Sequence, residues 1–121
     1  MGGKLKQGNV IQTKSYAFSL RVVRLYQSDL NEKRNQIILS QLLRSGTSIG
    51  ANVEEAIGAQ SRKDFYAKMY IAYKEGRETH YWLRLLEDSG YLEPKIAAEM
   101  LEECNELLRI MGSILKTLRS K

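Results

Sequence analysis

Apolar residues recur at every third or fourth position along most of this chain, which is the spacing of amphipathic α-helices. The two clearest examples begin near Ser61 and at Pro94. No stretch shows the alternation with period two that a β-strand would need. The pattern therefore predicts an all-α protein.

Breaks in this pattern divide the chain into four helical segments with short polar connections. The motif Ser61-x-x-Asp64 resembles a helix-capping box, Gly90 suits the end of a helix, and Pro94 suits a first helical turn. The predicted helices span about 13–28, 35–59, 61–88 and 94–118, and residues 29–35 form a polar connection. Four helices joined in this way favour an up-down-up-down antiparallel bundle.

One apolar stripe runs along each predicted helix, and we expect the four stripes to meet in the bundle core. The stripes comprise Tyr16, Phe18, Leu20, Val22, Val23 and Leu25 on the first helix; Ile38, Leu42, Gly46, Ile49, Val53 and Ile57 on the second; Phe65, Met69, Ala72, Gly76, Thr79, Leu83 and Leu86 on the third; and Ala97, Leu101, Cys104, Leu108, Met111, Leu115 and Leu118 on the fourth. On the fourth helix the spacing alternates between four and three residues, which is typical of a packed bundle.

Two glycines four residues apart, Gly46 and Gly50, lie within or beside the core stripe of the second helix. A glycine inside a helix costs about 1 kcal/mol relative to alanine. The usual compensation is a close approach of a neighbouring helix, which we predict here. A phosphate-binding loop of the Walker type is excluded, because its glycine spacing and its lysine are both missing.

Second stripes follow the outer sides of the second and third helices. They comprise Gln41, Arg44, Ser48, Asn52 and Glu55 on the second helix, and Ile71, Glu75, Glu78, Trp82 and Leu85 on the third. The simpler interpretation is a solvated outer face, and the alternative is a contact with another subunit. One small bundle cannot easily bury its core stripe together with Trp82 and Leu85, so we expect self-association.

Charge is distributed unevenly over the 121 residues, whose net charge is +5. Residues 1–24 and 107–121 contain five and four basic residues respectively and no acidic ones. We expect a flexible basic arm over 1–12 and a single bundle domain over 13–121. In the predicted topology one end of the bundle gathers the basic side chains of Lys4, Lys6, Lys14, Arg62, Lys63, Lys116, Arg119 and Lys121. Such a patch attracts phosphate groups.

A third stripe on the third helix alternates aromatic and cationic side chains. It comprises Tyr66, Tyr70, Lys74, Arg77, Tyr81 and Arg84. Such a surface could stack nucleic-acid bases and neutralise phosphates. The alternative is a solvated face whose tyrosines pack against neighbouring residues.

Enzyme chemistry has little support in the sequence. A di-iron site would need two Glu-x-x-His pairs, and His80 is the only histidine, with Arg77 three positions before it. We therefore expect no metal site, cofactor or catalytic residues, with a metal-dependent nuclease as a remote alternative based on the carboxylates of the second and third helices. The single cysteine, Cys104, excludes a disulfide framework. Together with the absence of a membrane-length apolar run, it favours a cytoplasmic protein.

The stretch QLLRSGTSIGANVEEA at 41–56 resembles the signature Q-L-x-R-x-x-x-S-I-x-x-N-[IV]-x-E-[GA] of the 23S ribosomal RNA intervening-sequence proteins. The residues that match are Gln41, Leu42, Arg44, Ser48, Ile49, Asn52, Val53 and Glu55. IAYKEGRETHYWLRLLEDSGYL resembles the third helix of the same family through Glu75, Glu78, Trp82 and Leu83. Gly50 and Ala56 stand where proline and glycine are common, and the fold expectation is unaffected.

The resemblance implies a four-helix bundle that assembles as a homo-oligomeric ring, with five subunits. A related branch of the bundle family assists reverse transcriptases of diversity-generating retroelements and contacts nucleic acid. We therefore expect a non-enzymatic module that binds RNA or DNA or a nucleic-acid enzyme, or alternatively a purely structural ring. The predicted nucleic-acid-binding residues are Lys14, Arg62, Lys63, Lys74, Arg77, Lys116 and Arg119. The predicted polar or subunit network is Arg44, Ser48, Asn52, Glu55, Glu75, Glu78 and Trp82, within or between subunits.

Overall fold

The computed structural model describes the backbone of residues 2–29 and 36–120 and the side chains of residues 10–29 and 37–120. All regular structure in these ranges is helical. The helices are α1 (Gly2–Asp29), α2 (Gln36–Ile57), α3 (Arg62–Asp88) and α4 (Pro94–Arg119). The all-α prediction is confirmed, whereas the predicted polar connection lies, apart from Asp29, outside the described residues. None of the described helices has an apolar stretch long enough to cross a bilayer.

The ends of α3 and α4 follow the predicted local signals. The Ser61 hydroxyl accepts a hydrogen bond of 3.0 Å from the backbone N–H of Asp64 and so caps α3. At the other end Gly90 has a φ of 78°, a left-handed conformation that glycine adopts without steric cost. Pro94 occupies the first turn of α4, where its missing N–H removes no helical hydrogen bond.

Each helix packs against two others, so the four helices surround one core. Helix α1 contacts α2 and α4, and α3 likewise contacts α2 and α4. Between α1 and α2, the Gln12 amide donates to the Glu54 carboxylate at 3.0 Å, and Val22 lies against Gly46. Between α3 and α4, the Cys104 thiol donates to the Gly76 carbonyl at 3.4 Å. These contacts define a four-helix bundle.

The first helix begins earlier than the sequence predicted. It starts at Gly2 instead of near Thr13, and Ile11 is fully buried in the core. The predicted division into a flexible arm over 1–12 and a bundle domain over 13–121 stays a prediction. Two predicted core residues are also exposed, Tyr16 at 63% and Leu20 at 36%. The small buried Ser15 occupies the inward position that the larger apolar residues were expected to take.

The core stripe of α3 is confirmed at all seven predicted positions. On α2 the prediction is confirmed in the middle of the helix, where Leu42, Ile49 and Val53 are fully buried. It is wrong for Ile57, which is 39% exposed because it is the last residue of α2 and lies beyond the packed turns. Ala56 takes the last buried position instead.

The core stripe of α4 differs from the prediction by a rotation of the helix. Ala97, Cys104, Met111 and Leu115 are buried as predicted. Leu101, Leu108 and Leu118 are only partly buried and pack at the edge of the core. The inner positions belong instead to Met100, Leu107 and Ile114. Both sets have bundle-like spacing, and the contacts with α1 and α3 determine which set faces inward.

The glycines of α2 allow α1 to approach closely, as predicted. A Cβ atom added to Gly46 would lie 3.0 Å from Cγ2 of Val22. One added to Gly50 would lie 3.0 Å from Oγ of Ser19 and 3.4 Å from the carbonyl oxygen of Ser15. These distances are shorter than ordinary contacts between non-bonded heavy atoms. The motif GTSIG is therefore a packing feature of two helices.

Candidate functional site

One end of the bundle brings together basic residues from α3 and α4. The Arg62 guanidinium donates to the carbonyl oxygen of Leu118 at 3.0 Å, so α3 begins beside the place where α4 ends. Lys63, Lys116 and Arg119 are exposed on the same two helix ends. The cations in the last turn of α4 also interact favourably with the negative end of the helix dipole. Arg62, Lys63, Lys116 and Arg119 are called the basic end below.

Lys14 was predicted to belong to the basic end, and the structure places it elsewhere. Its ammonium lies 3.3 Å from a carboxylate oxygen of Glu106 in the groove between α1 and α4. Glu106 lies twelve residues before Leu118, a distance of roughly 18 Å along α4 at 1.5 Å per residue. Lys14 is thus an ion-paired residue of the bundle side. The side chains of Lys4 and Lys6, and residue Lys121, lie outside those described.

Further along the groove between α1 and α4, Arg21 forms a second ion pair that the sequence analysis missed. Its guanidinium donates to Glu99 at 2.6 Å and also to Glu103. The hydrogen bond with Glu99 raises the pKa of Arg21, and the same contact lowers the pKa of Glu99. The available sequence signal for these ion pairs was helical spacing. It relates the acidic residues at 99, 103 and 106 on one helix and the basic residues at 14 and 21 on another.

The third helix carries the predicted alternation of aromatic rings and cations on its surface. The rings of Tyr66 and Tyr70 are stacked, with centroids 6.2 Å apart and an interplanar angle of 18°. Lys74 Nζ lies 5.8 Å from the centroid of Tyr70, and Arg84 Cζ lies 5.9 Å from that of Tyr81. Because the rings of Tyr70 and Tyr81 are 47% and 49% exposed, about half of each remains accessible to a ligand. Together with Arg77, these residues are called the α3 ladder below.

The predicted polar network is partly formed inside one chain. The Arg44 guanidinium on α2 donates to Glu75 at 3.4 Å and also to Glu78, both on α3. Glu78 in turn accepts a hydrogen bond of 3.0 Å from the indole N–H of Trp82. Trp82 is half-buried, and its ring lies edge-on to that of Tyr81, with the two ring centroids 5.0 Å apart. Arg44, Glu75, Glu78 and Trp82 thus connect the outer sides of α2 and α3.

The other predicted members of this network do not reach α3. The Ser48 hydroxyl donates to the Arg44 carbonyl at 2.6 Å, and the Asn52 amide donates to the Ser48 carbonyl at 2.8 Å. Both bonds stay within α2. Glu55 is exposed and forms no hydrogen bond or ion pair with a described side chain. Within one chain these three residues therefore have no cross-helix role.

A buried polar contact between α2 and α3 lies beneath this network. The Thr79 hydroxyl is 3.0 Å from the Ser45 hydroxyl and 2.8 Å from the Glu75 carbonyl oxygen. Both hydroxyl-bearing residues are fully buried. Because buried hydroxyls need partners, this pair fixes the relative position of the two helices. Ser45 lies three residues after Leu42 and four before Ile49, on the apolar face of α2, and this position was the available sequence signal.

Three of the four carboxylates of α2 and α3 that could have formed a metal site are engaged in other contacts, and Glu55 is the exception. Glu54 accepts from Gln12, and Glu75 and Glu78 pair with Arg44. Within the described ranges, no three residues of the metal-binding types lie close enough to hold an ion. Burial raises the pKa of Cys104 to about 12, which keeps this thiol protonated and unreactive.

A family model and a solved structure both resemble this chain over most of its length. The family model described as 23S rRNA-intervening sequence protein matches residues 7–113. A solved structure of a protein with unknown function, from the S23 ribosomal protein family of Bacteroides thetaiotaomicron, is 43% identical in sequence. The similarity covers 91% of this chain and 98% of that one, with a TM-score of 0.87. Among curated proteins, none is similar enough to count as a match.

Proposed function

This chain belongs to the 23S rRNA-intervening sequence protein family, and on that premise we propose that it is a non-enzymatic, oligomeric helical module that binds nucleic acid. The observation that supports this role most directly is the α3 ladder, where half-exposed tyrosines alternate with exposed cations. Stacking of bases on aromatic rings, combined with neutralisation of phosphates, is a common mode of single-strand binding. The basic end supplies further long-range attraction.

We propose an up-down-up-down topology and a homopentameric ring as the working assembly. Two contacts between α1 and α2 support the topology. Gln12 contacts Glu54, whereas the later residue Val22 contacts the earlier residue Gly46, so the two helices run in opposite directions. Half-buried Trp82 and exposed Ile71 on α3 are apolar surface that a second subunit would cover. A ring would repeat the basic end around one axis and increase its attraction for polyanions.

Light scattering tests the assembly. The expected native mass is five times the 13.9 kDa of one chain. A monomeric mass at micromolar concentration would contradict the ring.

Fluorescence anisotropy with labelled single-stranded RNA and duplex DNA across a salt series tests nucleic-acid binding. We expect affinity to fall steeply with salt, since each neutralised phosphate contributes about 0.7 to 0.9 to the log–log slope. Neutralising Lys63, Lys116 and Arg119 to glutamine should reduce that slope by about two to three. The matched control is Lys14→Gln, which also removes a cation but one already paired with Glu106. Absence of binding at low salt would refute the proposal.

A structural ring without a nucleic-acid role is the second candidate, and the Arg44–Glu78–Trp82 network is the observation that favours it. Arg44 and Glu78 are part-exposed in one chain, and a second subunit that excluded water from the network would let it fix the geometry of the assembly, which suits a scaffold. Under either candidate the protein acts in the cytoplasm, and a reverse transcriptase or another nucleic-acid enzyme is a proposed protein partner. Magnesium-dependent shortening of the labelled RNA or DNA would instead identify a nuclease.

A further inference from the structure

A surface pocket of about 250 Å³ lies in the groove between α3 and α4, outside the basic end. Helix α3 contributes four side chains, which are spaced by four, three and four residues and therefore share one helix face. Its α4 side contributes a polar and an apolar side chain three residues apart. The lining comprises Tyr73, Arg77, His80, Arg84, Asn105 and Leu108. We call it the α3–α4 pocket.

Every polar residue that lines this pocket can donate a hydrogen bond, and no acidic residue lines it. Arg77 and Arg84 form no ion pair with any described carboxylate. The only contact that the structure shows for the Arg84 guanidinium is with the ring of Tyr81. Burial, with a further contribution from Arg84, lowers the pKa of His80 and so favours its neutral imidazole. The pocket thus has two cations whose charge is not offset by an ion pair with any carboxylate in the described part of the chain.

The groove between α1 and α4 provides an internal comparison. It contains a pocket of about 210 Å³, which is also lined by two cations, Lys14 and Arg21. There α4 contributes Glu103 and Glu106, and both cations are paired. The two pockets are similar in size and share one helix, and only the α3–α4 pocket retains uncompensated positive charge.

From this difference we propose that the α3–α4 pocket binds a phosphate group. Arginine matches phosphate oxygens bidentately, and the tyrosine, histidine and asparagine add donors from both sides of the groove. A tetrahedral phosphate can accept from such a set in several directions, whereas a planar carboxylate offers only two oxygens. This inference deepens the proposed function, since a nucleic-acid backbone is one source of the group. A free phosphate compound is the other source.

The single histidine allows the pocket to be observed directly, because His80 gives the only imidazole signals of the chain in an NMR spectrum. Inorganic phosphate is titrated at constant ionic strength and constant pH, with chloride as the reference. We expect the His80 signals to shift saturably with phosphate and not with chloride. Arg77→Gln and Arg84→Gln should each weaken binding about tenfold, as for loss of a charged hydrogen bond. Both arginines are exposed, so these variants should fold normally.

Lys14→Gln is the matched control, since it removes a cation from the α1–α4 pocket and should leave phosphate binding unchanged. Unmoved His80 signals would overturn the proposal. Equal shifts in the doubly substituted Arg77→Gln, Arg84→Gln protein would also overturn it.

Anisotropy with single-stranded RNA then separates the two sources of phosphate. If phosphate binds and both arginine variants weaken RNA binding, the pocket holds a backbone phosphate. If phosphate binds the pocket but no RNA or DNA binds at low salt, the proposed function fails, while the pocket remains a site for a free phosphate compound. If RNA binds equally to the arginine variants and phosphate does not move His80, the pocket proposal fails, and the proposed function then rests on the basic end and the tyrosines of the α3 ladder.

Discussion

Substitution of Gly46 by alanine tests the close packing of α1 against α2. Two effects of opposite sign on the free energy of unfolding are expected. Alanine is favoured over glycine inside a helix by about 1 kcal/mol. The added Cβ, however, would lie 3.0 Å from Cγ2 and 3.3 Å from Cγ1 of Val22. Val22 is buried and β-branched, so its χ1 rotamer cannot turn away within a helix. Overpacking of this kind costs about 1–3 kcal/mol.

The net expectation for Gly46→Ala is a loss of about 1 kcal/mol in the free energy of unfolding. Gly112→Ala is the matched control, because its Cβ would meet Cε1 of Tyr73 at an ordinary 3.7 Å. That variant should gain up to about 1 kcal/mol from helix propensity alone. Urea unfolding at 25 °C measures both variants. The protein concentration must be fixed, since self-association would make stability concentration-dependent.

A double substitution with Val22→Ala isolates the contact itself. Val22→Ala alone should cost about 2 kcal/mol through two lost methyl groups and the resulting cavity. In the Gly46→Ala background the same change should cost about 1–2 kcal/mol less, because the new methyl group occupies the space and the clash disappears. Purely additive effects would refute the packing argument. A Gly46→Ala protein as stable as Gly112→Ala would refute it as well.

Three further predictions concern single side chains. Glu78→Ala should cost about 1 kcal/mol or less in unfolding free energy, since the pair with Arg44 is part-exposed. It removes the acceptor of the Trp82 indole N–H, so it should still shift the fluorescence of Trp82, the only tryptophan, and an unchanged spectrum would contradict the hydrogen bond. The pKa of His80 lies below its ordinary 6.5, so the unfolded chain binds the proton more readily and stability should fall as pH drops below 6.5. His80→Gln should reduce that fall in urea unfolding compared at pH 7.5 and 5.5, and an equal fall would contradict it. Cys104, with a pKa of about 12, should resist a thiol reagent at pH 8 until the protein is unfolded, and rapid labelling of the native protein would contradict its burial.

The helices themselves could be predicted from the sequence because their signals are local. Ser61, Gly90 and Pro94 act on the backbone within one turn, and all three act as predicted. The start of α1 was missed for the same reason. Glycines near the N-terminus weaken the helical pattern, whereas the packing of Ile11 in the core is a tertiary contact that no local signal reports.

The rotation of each helix was harder to predict than its boundaries. On α3 the small and apolar residues form a single inward-facing line, and all seven of its buried residues were predicted. Helix α4 has apolar residues on two adjoining lines, and the sequence cannot show which line the neighbouring helices cover. The same uncertainty hid the α3–α4 pocket, since the placement of Arg77 and Asn105 in one pocket depends on how both helices are rotated. Residues that act within one helix face could thus be predicted, and residues that meet across a groove could not.

The distribution of ion pairs decides where this protein can attract an anion, and the net charge of +5 does not. On the α1 side of α4, Lys14 and Arg21 face Glu106, Glu99 and Glu103, so their fields are largely cancelled beyond a Debye length. On the α3 side, α4 presents Asn105 in place of a carboxylate. Among the described residues, the cations without an ion pair include Lys74, Arg77 and Arg84 of the α3 ladder and the four residues of the basic end. Both regions include residues of α3. A polyanion attracted to the basic end would be guided along the α3 ladder, which is why binding should depend on both regions and not on Lys14.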